Sequence, residues 1–183
     1  MTKIKTDPKL VARAIEGDRE SFALIYKDIY GDLYKYALFT LKSPEEAQDA
    51  VSETVLDLFK GIHTLKEPGS FGAWVFRILS LKCKKRIGSL IAARNTLDIE
   101  DLREREDPLK AGTEESVTES ETLNAALDSL KEEDRMVLLL SSVYGYKNKE
   151  ISQIMDLPAG TVSSKLARGY EKMRKMLGGE NHV

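Results

Sequence analysis

The residues with the clearest chemistry lie near the end of the chain. Thr161, Ser164, Lys165, Arg168, Lys172 and Lys175 recur at helical spacing and form one stripe. Val162, Leu166, Tyr170, Met173 and Leu177 form a second, apolar stripe expected to pack on its own domain. Between Leu157 and Leu177 five basic side chains stand against Glu171 alone. Lys and Arg neutralise phosphates by releasing counterions, while Thr, Ser and Arg near a helix start can reach base edges. The other reading of the stripe is the solvated face of an ordinary surface helix. What favours DNA is the element that would position it. Asn148 to Met155 reads as a helix, Asp156-Leu157-Pro158 as a tight turn, and 159 to 177 as a longer helix. That is the pattern of a helix-turn-helix, whose second helix enters the major groove. Alone, such a unit could belong to a repressor, an activator or a polymerase subunit.

The chain has 183 residues, 42% hydrophobic and 32% charged, with a formal charge of −2 from 28 basic and 30 acidic side chains. No apolar run approaches the roughly 20 residues that cross a bilayer, so no membrane insertion is expected, and the cytoplasm is the default. The one cysteine, Cys83, cannot form an internal disulfide, and with only His63 and His182 it makes no metal-ligand cluster. No catalytic triad, phosphate loop or metal spacing is present, so neither an enzyme nor a cofactor is expected. The small net charge is an average. Residues 1–97 carry 16 basic and 12 acidic side chains, 98–122 carry three and ten, and 123–183 carry nine and eight. The acidic middle, with Asp107-Pro108 and Glu114-Glu115-Ser116, offers few core positions and reads as a tether, with a short helical stretch around 99–106. The alternative is an acidic surface loop inside one domain.

Ahead of the tether, four helices are expected. Pro8 to Glu16 forms a short one, broken by Gly17-Asp18; Phe22, Ile25, Ile29, Leu33, Ala37 and Leu41 mark a long amphipathic one. Ser43-Pro44-Glu45-Glu46 is a helix start with a cap hydroxyl, proline at the first helical position and acids favoured by the dipole. That helix runs to about Lys60, and a break from Gly61 to Ser70 precedes a fourth helix burying Phe71, Trp74, Val75, Ile78 and Leu79. Phe71 and Trp74 are expected in the core, and His63 in solvent. No alternating strand pattern appears, so the fold class is all-α.

Asp7 to Asp18, with Phe22, Tyr26 and Leu33-Tyr34, then Ser43 to Thr54, then Ser70-Phe71-Gly72-Ala73-Trp74-Val75-Phe76-Arg77-Ile78, and finally Leu127 to Leu130, Asp134-Arg135, Glu150-Ile151 and Pro158 to Arg168 resemble, in order, the extracytoplasmic-function (ECF) group of bacterial RNA polymerase sigma factors. The resemblance implies a region 2-like four-helix domain over 1–96, an acidic linker over 97–122 and a region 4-like helix-turn-helix domain over 123–183. It implies core polymerase as partner, through the β′ clamp helices and the β flap, and promoter DNA. Such a protein would direct initiation through −10 and −35 elements, under an anti-sigma factor, and no dimer seam is visible to make it other than monomeric when free. By the same resemblance Asp49, Ser52 and Glu53 would dock on polymerase. Arg77, Lys82, Lys84, Lys85 and Arg86 would track the −10 strand, since single-strand capture needs cations along the backbone. Gly160, Thr161, Ser163, Ser164, Lys165, Arg168 and Lys172 would read the −35 duplex. Asp49 and Glu53, one turn apart and away from Val51 and Leu58, are expected to face solvent. A free-standing helix-turn-helix regulator is the alternative function.

The chain departs from the group in places. Leu79-Ser80-Leu81-Lys82 stands where an Ala-Arg-Asn-like run is usual, with Lys85 at the position of an acid. Ala50 and Ser52 replace a larger apolar residue and a glutamine, and Asp156 replaces a frequent glycine in the C-terminal turn. Asp tolerates the left-handed conformation better than most residues.

Overall fold

A computed structural model describes residues 3–4, 6–96 and 122–177, with the side chains of 94–96 left aside. The segment 97–121 lies outside the described residues, and with it the expected acidic tether and the helical stretch around 99–106. Among the described residues there is no strand.

Local chemistry sets each helix boundary. α1 (Pro8–Ile15) starts at Asp7, whose carboxylate accepts the backbone N–H of Lys9, with proline in the first turn. Gly17, at φ +98°, turns the chain. Asp18 then caps α2 (Arg19–Leu41) by accepting from Glu20 and Ser21. α2 stops at Lys42, in the left-handed conformation at φ 58°. Ser43 at once caps α3 (Pro44–Gly61) by accepting the Glu46 N–H at 3.3 Å. The break from 61 to 70 holds two short 3₁₀ turns, Ile62–Thr64 and Pro68–Ser70, with His63 exposed as expected. α4 (Phe71–Thr96) follows.

These helices bury Ile25, Ile29, Leu33, Ala47, Val51, Leu58, Phe71, Val75 and Leu79. Thr54 rather than Val55 is the fully buried partner on α3, its hydroxyl bonded to the Ala50 carbonyl at 2.7 Å. The small Ala50 is itself completely buried. Phe71 is core, while Trp74 and Ile78 are only half-buried, the Trp74 ring lying over Gly61.

The C-terminal block has a helical stretch, α5, over 122–128, then α6 (Glu132–Ser142), α7 (Asn148–Met155) and α8 (Ala159–Leu177). α7 is capped from within, Glu150 accepting the Lys147 N–H at 2.8 Å. It ends at Asp156, whose φ of 54° is the left-handed turn the helix-turn-helix needs. On α8 the apolar stripe is shorter than its spacing predicts. Val162 and Leu166 are buried and Met173 half-buried, but Tyr170 and Leu177 are exposed. Gly169 takes the fourth contact instead, lying against Leu138.

The two blocks share one continuous core. α4 buries a second face, Phe76, Ser80 and Cys83, none more than 1% exposed. Against it stand Tyr144 and Tyr146 from the α6–α7 turn, with Gly145 between them at φ +67°. The Phe76 ring centroid is 4.5 Å from Tyr144 and 5.6 Å from Tyr146. The Tyr144 hydroxyl donates to the Asp32 carbonyl at 2.7 Å. Arg135 is 4% exposed and donates to the carbonyls of Leu127 and, across the seam, Thr40. Burial pushes the Cys83 thiol up to about 12 and lowers the Arg135 guanidinium.

Candidate nucleic-acid and polymerase interface

The start of α8 is open. Gly160, Ser163 and Ser164 are exposed and Thr161 is half-buried, on the side away from Val162 and Leu166. The Ser163 hydroxyl accepts from the Asn148 amide at 3.0 Å, which ties the first helix of the motif to the second. The cations behind them are held, which the stripe itself does not foretell. Lys165 bonds Glu133 at 2.6 Å and Asp134 at 3.1 Å, Arg168 reaches Asp134 at 3.4 Å, and Lys172 bonds the Ser129 carbonyl. Arg168 still leaves 56% of its side chain in solvent, whereas Lys165 leaves 14%. Burial raises the cost of charging Glu133 and Asp134, yet the hydrogen bonds from Lys165, Lys84 and Arg168 outweigh it, so both stay below the usual carboxylate range. The nearly acid-free stripe therefore holds along α8 alone; the acids come from the first turn of α6.

The five candidate cations of α4, Arg77, Lys82, Lys84, Lys85 and Arg86, divide between two faces. Arg77 and Lys84, two turns apart, face the C-terminal block. Arg77 lines a groove of about 460 Å³ with Ser152, Asp156 and Pro158. The Lys84 amine donates to the Met155 carbonyl at 2.9 Å and pairs with Glu133 at 3.1 Å. Lys82, Lys85 and Arg86 face α3 and line a groove of about 390 Å³ with Glu46 and Glu53. The five do not lie along one face, because a helix turns by 100° per residue and separates side chains that are close in sequence.

Among the polymerase-docking candidates, Asp49 and Ser52 are exposed. Glu53 is half-exposed but not simply solvated: it bonds Arg86 at 2.6 Å and lies 3.6 Å from Lys82. Arg86 also holds Glu46 at 2.6 Å, and Lys82 holds Asp57 at 2.7 Å. The expectation that Asp49 and Glu53 face solvent holds, and α4 supplies ion-pair partners for Glu53 that the spacing does not foretell. Glu133, Tyr144 and Tyr146 were not singled out by sequence, and Asp134 entered only as part of the family resemblance. Three acids in the first turn of α6 suit any helix N-terminus, and nothing local aims them at α8.

Two helical units are defined, one ending in the long cation-bearing α4 and one ending in a helix-turn-helix, and together they make an all-α protein with a candidate DNA-binding motif. Comparison with known proteins narrows it. The sigma-70 region 2 family model matches residues 25–90 and the sigma-70 region 4 model matches residues 120–173. With both of its domains present, in order and over about two thirds of the chain, the protein belongs to the sigma-70 family of RNA polymerase sigma factors.

The chain is similar to the ECF RNA polymerase sigma factor SigM of Mycobacterium tuberculosis, 25% identical over 95% of this chain and 86% of that protein. It is also similar to the ECF RNA polymerase sigma factor SigW of Bacillus subtilis, 26% identical over 92% and 95%. In fold it is similar to CnrH, solved in complex with the cytosolic domain of CnrY, at a TM-score of 0.65 and 19% identity over 96% and 99% of the two chains. The sigma factor RpoE of Bartonella quintana, solved with the anti-sigma factor NepR, gives 0.68 and 16% over 88% and 99%.

Proposed function

We propose that the protein is a promoter-specificity subunit of the ECF type, which binds core RNA polymerase and directs initiation through −10 and −35 contacts. The observation that carries this reading is the pairing, in one chain, of the region 2 unit with a helix-turn-helix whose second helix leaves Gly160, Ser163, Ser164 and much of Arg168 exposed. In the major groove, Thr161, Ser163 and Ser164 reach base edges, while Lys165, Arg168 and Lys172 turn from their carboxylate and carbonyl partners to phosphates. Asp49, Ser52 and Glu53 meet the β′ clamp helices, and the β flap receives the C-terminal block. Lys82, Lys85 and Arg86 border the melted −10 strand, with Arg77 and Lys84 available once the blocks part. The chain acts as a binding factor rather than an enzyme, works in the cytoplasm, is monomeric when free, and takes an anti-sigma factor as its inhibitor. The domain limits 1–96, 97–122 and 123–183 belong to the same reading.

Run-off transcription with purified bacterial core polymerase tests it. Wild-type protein is expected to stimulate specific transcripts. Arg168→Ala should lose −35-dependent initiation while keeping core binding, and Asp49→Lys should lose core binding while keeping its helix content. Operator binding without any stimulated transcript would favour a free-standing regulator.

A further inference from the structure

The outer face of α8 has its protons already placed. Val162 and Leu166 are buried, and Ser164 lies half a turn from each, so it faces away from the C-terminal core and is exposed. Gly160 and Ala167, also exposed on that side, are small, and a Cβ added at Gly160 would meet nothing within 4 Å. The helix can therefore approach a groove closely enough for a short hydroxyl to touch a base edge. Lys165, with 14% of its side chain exposed, is drawn back to Glu133 and Asp134 and does not crowd it.

Neither serine on this face presents a free hydroxyl. The Ser164 hydroxyl donates to the Thr161 carbonyl at 2.9 Å, and the Ser163 hydroxyl donates to the Ala159 carbonyl at 3.1 Å. A hydroxyl has one proton and two acceptor lone pairs, so each oxygen is left able only to accept. Ser163 already does so, from the Asn148 amide at 3.0 Å. Among the described residues nothing donates to the Ser164 oxygen, whose lone pairs are open to the groove.

A lone acceptor finds partners on only some base edges. In the major groove adenine N6 and cytosine N4 are donors, whereas thymine O4 and guanine O6 and N7 accept. Every base pair thus carries one amino-bearing base, and a lone acceptor reads which strand holds it. We propose that Ser164 is a specificity-determining residue that accepts a hydrogen bond from the amino group of an adenine or cytosine at one position of the −35 element. Guanine or thymine on that strand would set two acceptors against each other, or would pull the hydroxyl from the Thr161 carbonyl. The inference rests on the −35 reading above and adds the edge chemistry that is read.

The test uses holoenzyme assembled from purified bacterial core polymerase and the full chain. It is bound to a promoter library randomised over the −35 element, and the bound fraction is sequenced. Wild type should enrich adenine or cytosine on one strand at one position. Ser164→Ala, a change that favours the helix, should lose that preference and keep the others. Single promoters then give a second readout. Purine in place of the enriched adenine, or pyrimidinone in place of the cytosine, deletes the amino group alone. That deletion should weaken wild-type binding about fivefold, the size of one neutral hydrogen bond, and leave Ser164→Ala binding unchanged. If the position that Ser164→Ala flattens favours guanine or thymine in the wild type, the hydroxyl donates, and the inference is overturned with the −35 reading intact. The same follows if Ser164→Ala flattens no position while other −35 positions stay selected. A wild type that selects no −35 sequence overturns the −35 reading, and the inference with it.

Discussion

Two cations of α8, Lys165 and Arg168, are held by Asp134, whose side chain is 8% exposed. A carboxylate whose pKa lies below its unfolded value stabilises the fold above that value and loses the contribution as pH falls through the lowered folded one. The unfolded references here are 3.8 for Asp134 and 4.5 for Glu133, and both are lowered in the fold. Asp134→Asn should therefore lower the melting temperature near neutral pH. The gap to the wild type should close as pH falls below about 4, which melts recorded between about pH 7 and pH 3 will check. In binding, Lys172→Ala should reduce affinity alike on all duplexes and flatten the log–log salt dependence by about 0.9 for one lost phosphate contact. At this scale the sequence was informative about residue type and silent about partners. Lys165 and Arg168 were legible as cations on one stripe, but their acids lie 31 to 34 residues away on α6, where no spacing rule reaches.

Elements were more legible than contacts because their boundaries are fixed by chemistry within three or four residues. Asp7, Asp18, Ser43 and Asp156 each bond or bend the chain locally, and the helices begin and end beside them. What periodicity could not tell was how many faces of a helix are covered. α4 shows its Phe71–Val75–Leu79 face plainly, yet Phe76 and Cys83 are just as buried because a second block covers them. α8 errs the other way, since Tyr170 sits at an apolar position but turns its hydroxyl to Ser141 and Ser142 and stays 43% exposed. Gly169, next to it, is a helix-interior glycine whose added Cβ would meet Leu138 at an ordinary 3.6 Å. Gly169→Ala should thus stabilise the C-terminal block by about 0.5–1 kcal/mol, read as a higher denaturation midpoint with unchanged DNA binding.

For the molecule as a whole, the near-zero net charge hides an arrangement rather than a neutral surface. The N-terminal block presents its lysines, and the C-terminal block its acids, to the same seam. The two units could be told apart in sequence by the composition of 98–122, but their mutual packing could not. Tyr144 and Tyr146 sit in a turn, where an aromatic reads equally well as a local plug. The seam also contains a flaw. Arg135 brings a guanidinium into it with two carbonyls but no carboxylate, and among the described residues its Nε and the neighbouring Thr40 hydroxyl lack hydrogen-bond partners. Replacing a buried charge by an apolar side chain of similar volume often tightens a packed site. Arg135→Met should then tighten the packing between the two blocks, giving a protein that melts higher, as a thermal melt of the full chain will check.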